Sequence, residues 1–208
     1  MQAETVMAIL LLIGLLCFVS VNLHNILIVH KRREDKKTRA ETEQPQGFLV
    51  AIAGIGTLIY FVGILAYLFL VFAGLISSFY ALPIYFQFMS SLYLQILGLI
   101  LNLAGYFIFI WSVISRGKYA TSWSMPENQK LVTWGPYKHV RHPSYFGYFL
   151  MFLGLFFLWP SWLSLFSLFA VLGYYRVTFE EERFLIQRFG EEYLEYQKRT
   201  RRFIPMLL

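Results

Sequence analysis

Charge is scarce in this chain: 14% of its 208 residues are Asp, Glu, Lys or Arg, against about a quarter in an ordinary soluble domain. A water-soluble globule is excluded. Intrinsic disorder is excluded as well, because 58% of the residues are hydrophobic and 19% aromatic, far above what an unfolded composition tolerates. Cysteine is nearly absent. Cys17 alone, set in an apolar run, rules out a disulfide framework and reads as a small hydrophobe. With four scattered histidines beside it, no metal site is expected. No internal repeat or low-complexity tract is evident. What the chain has in abundance is long apolar sequence, and that composition is the mark of a membrane protein.

The charges that remain are grouped. Residues 44–115 contain no Asp, Glu, Lys or Arg, and neither do residues 5–30 or 142–175. The 18 basic residues fall in three blocks, six at 31–39, five at 116–141 and seven at 176–202. A spanning helix needs about 20 mainly apolar residues, which places spans at 5–29, 48–75 and 91–114. The first has no basic segment before it and a basic flank after it, the pattern of a retained anchor. Pro83 marks the turn between the second and third. The last apolar stretch is broken at Trp159-Pro160-Ser161-Trp162 into arms near 145–158 and 163–175. At 1.5 Å per residue each arm measures only about 20 Å, short of a ~30 Å bilayer core, so both are expected to extend into their flanks. The fold class is therefore all-α: an integral membrane protein of about five transmembrane helices, the last two a hairpin, followed by a C-terminal helical segment. Basic loops stay in the cytoplasm, which puts the N-terminus outside and the C-terminus inside. The 31–39 block sets topology and meets anionic headgroups rather than nucleic acid.

Two polar clusters have no simple solubility purpose. The first runs from Gln129 to Tyr145 into the fourth span, where Pro143 disfavours helix at His142 and starts the helix just after it. Arg141, His142 and the first-turn amides could there receive an anion, or could merely snorkel to the interface. The second lies at the end of the fifth span. Arg176 and Glu180 share a helical face, and the adjacent Glu180, Glu181 and Glu182 point in different directions because a helix turns about 100° per residue. A hairpin would bring His142 and Arg176 to the same level. Gly98, Ala104 and Gly105 in the third span and Gly147 and Gly154 in the fourth permit close helix packing.

These strings carry a resemblance. Lys130-Leu131-Val132, Gly135-Pro136-Tyr137, Arg141-His142-Pro143-Ser144-Tyr145-Phe146-Gly147, Arg176-x3-Glu180-Glu181, Phe189-Gly190-Glu191-Glu192-Tyr193 and Ile204-Pro205 together resemble the isoprenylcysteine carboxyl methyltransferase family over about residues 123–205. The resemblance implies a membrane core of five helices with a cytoplasm-facing cofactor pocket, and transfer of a methyl group from S-adenosylmethionine to the carboxylate of a lipid-modified, isoprenylcysteine-like substrate drawn from the bilayer. It divides the chain into three N-terminal transmembrane helices at 1–115 and a catalytic region at 116–208. It implies cofactor contacts at Gln129, Lys130, Leu131, Val132, Tyr137, His142, Pro143, Ser144, Tyr145 and either Glu180 or Glu181, with Arg176 holding the acceptor carboxylate and Glu180 beside it. The family often has His where this chain has Gln129.

The proposed chemistry needs no strong base, since a carboxylate is already ionised near neutral pH and positioning does most of the work. Tyr137 and Tyr145 can offer ring faces to a sulfonium, and a glutamate can accept from ammonium or hydroxyl groups. Two other readings use the same region: methylation of a phospholipid or other lipid amine, and a nicotinamide-dependent sterol or enone reductase. The reductase typically has His-Pro-Asn-Tyr-x-Gly-Glu, where this chain has His142-Pro143-Ser144-Tyr145-Phe146-Gly147-Tyr148. A transporter would place polar groups near the bilayer midplane, and the spans hold few.

Overall fold

A computed structural model describes residues 2–35, 47–119 and 130–204, with the backbone alone for 28–35 and 118. The side chains of the 31–39 basic block, Gln129 and Pro205 lie outside the described residues. The helices are α1 (Gln2–Asp35), α2 (Phe48–Phe72), a short α3 (Ile76–Tyr80), α4 (Leu92–Arg116), α5 (Pro143–Leu158), α6 (Trp162–Ser167), α7 (Ala170–Phe189) and α8 (Glu191–Arg199). Among the described residues there is no β-strand, only isolated bridges joining Tyr85 to Ser161 and Val140 to Arg201.

Local chemistry sets the helix ends. The Ser91 side chain accepts from the Leu94 amide to open α4, and Ser161 and Ser164 cap each other's backbone to open α6, each satisfying amides that the first turn leaves free. Pro143 occupies the first position of α5, where its missing N–H costs nothing. Gly190, at φ +55°, ends α7 in a conformation that suits glycine and folds α8 back across the bundle.

Among the described residues, four segments are long and apolar enough to cross a membrane: residues 2–27 of α1, α2, α4, and α6 with α7 together, Trp162–Phe189. The fifth expected span is α5, whose 16 residues reach only about 24 Å at 1.5 Å each. The second arm extends well into its flank, to Phe189, whereas the first gains only Pro143 and Ser144. Large apolar side chains such as Leu58, Phe69, Ile100 and Phe107 stand exposed on the outside of the bundle, a surface suited to lipid and not to water.

The last two spans are consecutive without being each other's main partner. Helix α5 lies antiparallel along α4, and α6–α7 lie antiparallel along α2. Glycine explains the first pairing. A Cβ at Gly98 would sit 2.3 Å from the Leu158 nitrogen, and one at Gly105 would sit 2.6 Å from the Gly147 carbonyl oxygen, so the backbones meet where side chains are missing. Gly173 plays the same part against Leu49 and Ala53 of α2. Between α5 and α7 stand aromatic rings instead: Tyr174 packs against Tyr145, Tyr148 and Phe152 at centroid distances of 5.0, 5.2 and 6.3 Å.

The membrane interior does hold a polar cluster. The Tyr60 hydroxyl donates to Asn102 Oδ1 at 2.7 Å, and the Tyr106 hydroxyl lies 2.8 Å from that of Tyr60. Because the Tyr60 proton is committed to Asn102, Tyr106 is the donor to Tyr60. Asn102 Nδ2 donates to the Gly98 carbonyl at 2.9 Å. Every member of this cluster is buried, and it ties α2 to α4 through bonds that lipid cannot replace.

Candidate active site

A cavity of about 410 Å³ opens at the end of the bundle where α4 finishes and α5 begins, within the range of small-molecule sites. Its walls come from the C-terminal half of α1, the last turns of α4, the segment from Lys130 to Tyr137, the first turns of α5, the last turns of α7, and α8. Of the residues expected from sequence, Lys130, Leu131, Val132 and Tyr137 line it on one side. His142, Ser144, Tyr145 and Glu181 line it on another. Pro143 is buried at the helix start without joining the wall.

The three consecutive glutamates face three ways. Glu180 pairs with Arg176 at 3.5 Å on the outward face of α7, where the Arg176 side chain is 52% exposed. Neither residue lines the cavity. Glu181 faces into it, accepting from the Tyr145 hydroxyl at 2.6 Å and lying 3.3 Å from His142 Nδ1. Glu182 is buried beneath the wall, with its carboxylate surrounded by donors. Arg141 Nε lies at 2.8 Å, His142 Nε2 at 3.1 Å, Gln197 Nε2 at 3.1 Å and Arg202 Nη2 at 2.7 Å. The convergence of His142 with Arg176 that a tight hairpin would produce is replaced by convergence with Glu181 and Glu182, because α7 packs on α2 and shows α5 a different face.

His142 is thus held between two carboxylates. Burial alone would lower its pKa, but hydrogen bonds and attraction from Glu181 and Glu182 outweigh burial and raise it above the usual histidine value. As an imidazolium, the ring donates from both nitrogens. Its ring also lies parallel to Tyr145 at 5.8 Å.

The C-terminal segment fastens this arrangement. Residues 201 and 202 run beside 139–142, with the Arg141 and His142 amides donating to the Arg201 and Arg202 carbonyls at 2.7 and 3.0 Å. Arg141 Nη1 donates to the Thr200 carbonyl at 2.6 Å, and the Arg202 guanidinium covers the Phe179 ring at 3.9 Å. Helix α8 closes the cavity with Tyr193 and Tyr196, the latter donating to the Tyr137 carbonyl at 2.6 Å.

Two buried polar atoms in the wall have no hydrogen-bond partner among the described residues: the Tyr193 hydroxyl and Arg116 Nε. Buried donors are nearly always satisfied, so these two mark where a ligand would complete the structure. Sequence reasoning passed over both. Tyr193 lay inside a recognised string without an assigned role, and Arg116 read as the first charge after an apolar run. Asn22 and Asn25, polar residues within the first apolar run, also line the cavity. Their spacing of three was the available signal.

Apart from Asn22, Asn25 and Ile26 of α1 and Tyr193 and Tyr196 of α8, every residue of the cavity wall lies between 93 and 192. No curated protein matches the chain. Residues 93–192, just under half of it, match the family model described as phospholipid methyltransferase. That segment, which carries nearly the whole wall of the cavity, is thus similar to the phospholipid methyltransferases, a family of membrane methyltransferases.

Proposed function

We propose that the protein transfers the methyl group of S-adenosylmethionine to the head group of a lipid-borne acceptor at the membrane interface, the acceptor being a carboxylate of isoprenylcysteine type. The observation that carries this reading is the coincidence of the cavity with the methyltransferase segment. The residues present suit the cofactor. An oriented acid, Glu181, and the free hydroxyl of Tyr193 face a cavity of adequate volume, with the Tyr145 ring beside them.

When bound, S-adenosylmethionine supplies an electrophilic methyl group on a sulfonium. Glu181, held by Tyr145 and His142, would accept from amino or hydroxyl groups. His142, charged between its two carboxylates, would hold Glu181 in place, and Lys130 would receive the cofactor's carboxylate. Leu131, Val132 and Tyr137 would form the apolar bed. Pro143 and Ser144 set where α5 begins and so where Tyr145 stands. Gln129, at the end of the same segment, is proposed as a further contact. Arg176, given to the acceptor carboxylate by the resemblance and paired with Glu180, would meet it from the outward face of α7, before it enters the cavity.

The cavity end carries Lys130, Lys138, Arg141, Arg201 and Arg202, a basic concentration that supports a cytoplasmic catalytic face and C-terminus and an extracytoplasmic N-terminus. A second reading, N-methylation of a phospholipid amine, is favoured by the description of the matched family. Incubation of purified protein with methyl-labelled S-adenosylmethionine and either farnesylcysteine analogues or phosphatidylethanolamine separates the two. Base-labile label on the farnesylcysteine is the expected result. Base-stable label on the phospholipid establishes the second reading, and binding of a nicotinamide in place of S-adenosylmethionine overturns both.

A further inference from the structure

Arg116 is the last residue of α4, and its environment differs from those of Arg141 and Arg202. Arg141 and Arg202 both pair with Glu182, and Arg141 also donates to the Thr200 carbonyl. Among the described residues Arg116 has one long contact, 3.4 Å from Nη2 to the Ser144 hydroxyl, and its buried Nε has no partner there. Among the described residues no carboxylate lies within 4.0 Å of it. A guanidinium offers five donors in a rigid fork suited to carboxylate and phosphate. Leaving such donors buried and unmatched is costly, and the cavity in front of it is where an anion would fit.

The surroundings say which ligand it would take. Val113 and Phe109 also line the cavity, and with Arg116 they fall at helical spacing on one face of α4. That face runs about 10 Å, at 1.5 Å per residue, from the charged rim into the apolar bundle. Asn22, Asn25 and Ile26 of α1 supply the opposing polar and apolar surface. The groups proposed to hold the methyl donor, Lys130, His142, Glu181 and Tyr193, belong to other elements. An amphiphile whose anionic head reaches Arg116 and whose tail follows Val113 and Phe109 matches this wall. Ser144 helps to aim the guanidinium: the Ser112 hydroxyl donates to the Phe109 carbonyl at 2.7 Å, so Ser144 donates to Ser112 at 2.7 Å and turns a lone pair toward Arg116.

We infer that Arg116, with Asn22 and Asn25, forms the subsite for the anionic head group of the lipid acceptor, a carboxylate or a phosphate. This rests on the methyltransferase reading for the word acceptor, while the anion subsite itself is a property of the wall. In the carboxylate case the bound anion is the nucleophile. One carboxylate oxygen then forms the new bond to the methyl carbon as the carbon–sulfur bond breaks and its electron pair returns to sulfur, so no proton moves. In the phosphate case the anion is a handle next to the reacting amine.

The test is binding of N-acetyl-farnesylcysteine, its neutral methyl ester and decyl phosphate to the full chain in detergent, with S-adenosylmethionine affinity measured separately. The wild type is expected to bind at least one of the anions roughly tenfold more tightly than the ester, the size of one charge-assisted contact. Arg116→Gln should abolish that preference, Arg116→Lys should restore most of it, and Asn22→Ala with Asn25→Ala should weaken it less. S-adenosylmethionine affinity should stay within about twofold in each variant, well under the tenfold that one such contact carries. The stronger of the two anions identifies the source. Equal anion binding by wild type and Arg116→Gln overturns the inference, and so does a loss of S-adenosylmethionine affinity in the same proportion, which would make Arg116 a donor-site residue. If the wild type binds anions through Arg116 but not S-adenosylmethionine, the subsite stands and the methyltransferase reading falls.

Discussion

Arg202 grips the buried carboxylate of Glu182 with two hydrogen bonds, 3.2 Å from Nε to Oε1 and 2.7 Å from Nη2 to Oε2. The same carboxylate holds Arg141 and His142 from the other side. Glu182→Ala would leave two guanidiniums and an imidazolium facing one another with their partner gone. Breaking a buried ion pair from one side costs about 3–5 kcal/mol, so a large fall in Tm is expected in detergent-solubilised protein. A change of a degree or less would show that the cluster is not the clasp described here.

The raised pKa of His142 fixes the sign of a pH effect. A histidine whose folded pKa exceeds its unfolded value adds stability that is fully present below the unfolded value, about 6.5, and lost as pH rises through the folded value. Wild type should therefore lose stability relative to His142→Gln on going upward from about pH 6.5. Thermal unfolding of both proteins across that range reads the difference directly. A gap that widens with pH contradicts the charged ring.

Glu181 and Glu180 are adjacent, yet only Glu181 faces the cavity. Glu181→Gln is expected to weaken S-adenosylmethionine binding by roughly tenfold or more, since a hydrogen bond to a charged group is worth about 1.5–3 kcal/mol. Glu180→Gln, which loses only an exposed pair, should change it by less than about threefold. Titration calorimetry distinguishes the two, and the reverse order would move the donor site to the outward face.

Tyr193→Phe removes a hydroxyl that has no partner among the described residues. Stability of the unliganded protein should be unchanged or slightly higher, because an unsatisfied buried donor is relieved. S-adenosylmethionine affinity should drop several-fold, by about 1 kcal/mol, the net worth of one neutral hydrogen bond. A loss of Tm with intact affinity would make the hydroxyl structural.

The contact between α4 and α5 is tested by Gly98→Ala, whose methyl group would meet the Leu158 backbone at 2.3 Å. Overpacking of this kind costs about 1–3 kcal/mol. Gly54→Ala in α2 meets nothing within 4 Å and should be neutral or stabilising by up to about 1 kcal/mol, from helix propensity. Unfolding in mixed detergent measures both variants. Equal effects would mean that the helices are not in close contact.

The order and placing of the helices could be read from apolar run lengths and from Pro83, because lipid imposes a strict rule on composition and length. The pairing of helices was harder. It depends on which glycines face each other, and Gly98, Gly105 and Gly147 were visible as small residues without any sign of their partners. The site was partly legible. The strings around His142 and Tyr145 placed those residues in the wall, since a proline-started helix has little freedom in its first turn. The roles of the three glutamates were not separable, because direction around α7 is set by its packing on α2, which no local pattern reveals. Arg116 escaped for a related reason: an arginine ending a span has the same sequence signature whether it reaches for water or faces a cavity.

The clasp on Glu182 has a consequence for the order in which the protein is made. Arg141, His142 and Glu182 all leave the ribosome before Arg201 and Arg202, and the donors that complete the carboxylate's shell arrive last. Until the final segment docks, the bundle holds a partly satisfied acid at its rim and a cavity without its α8 cover. The membrane-inserted helices can therefore assemble first, while the Glu182 shell and the α8 cover are completed only after residues 191–202 have followed them.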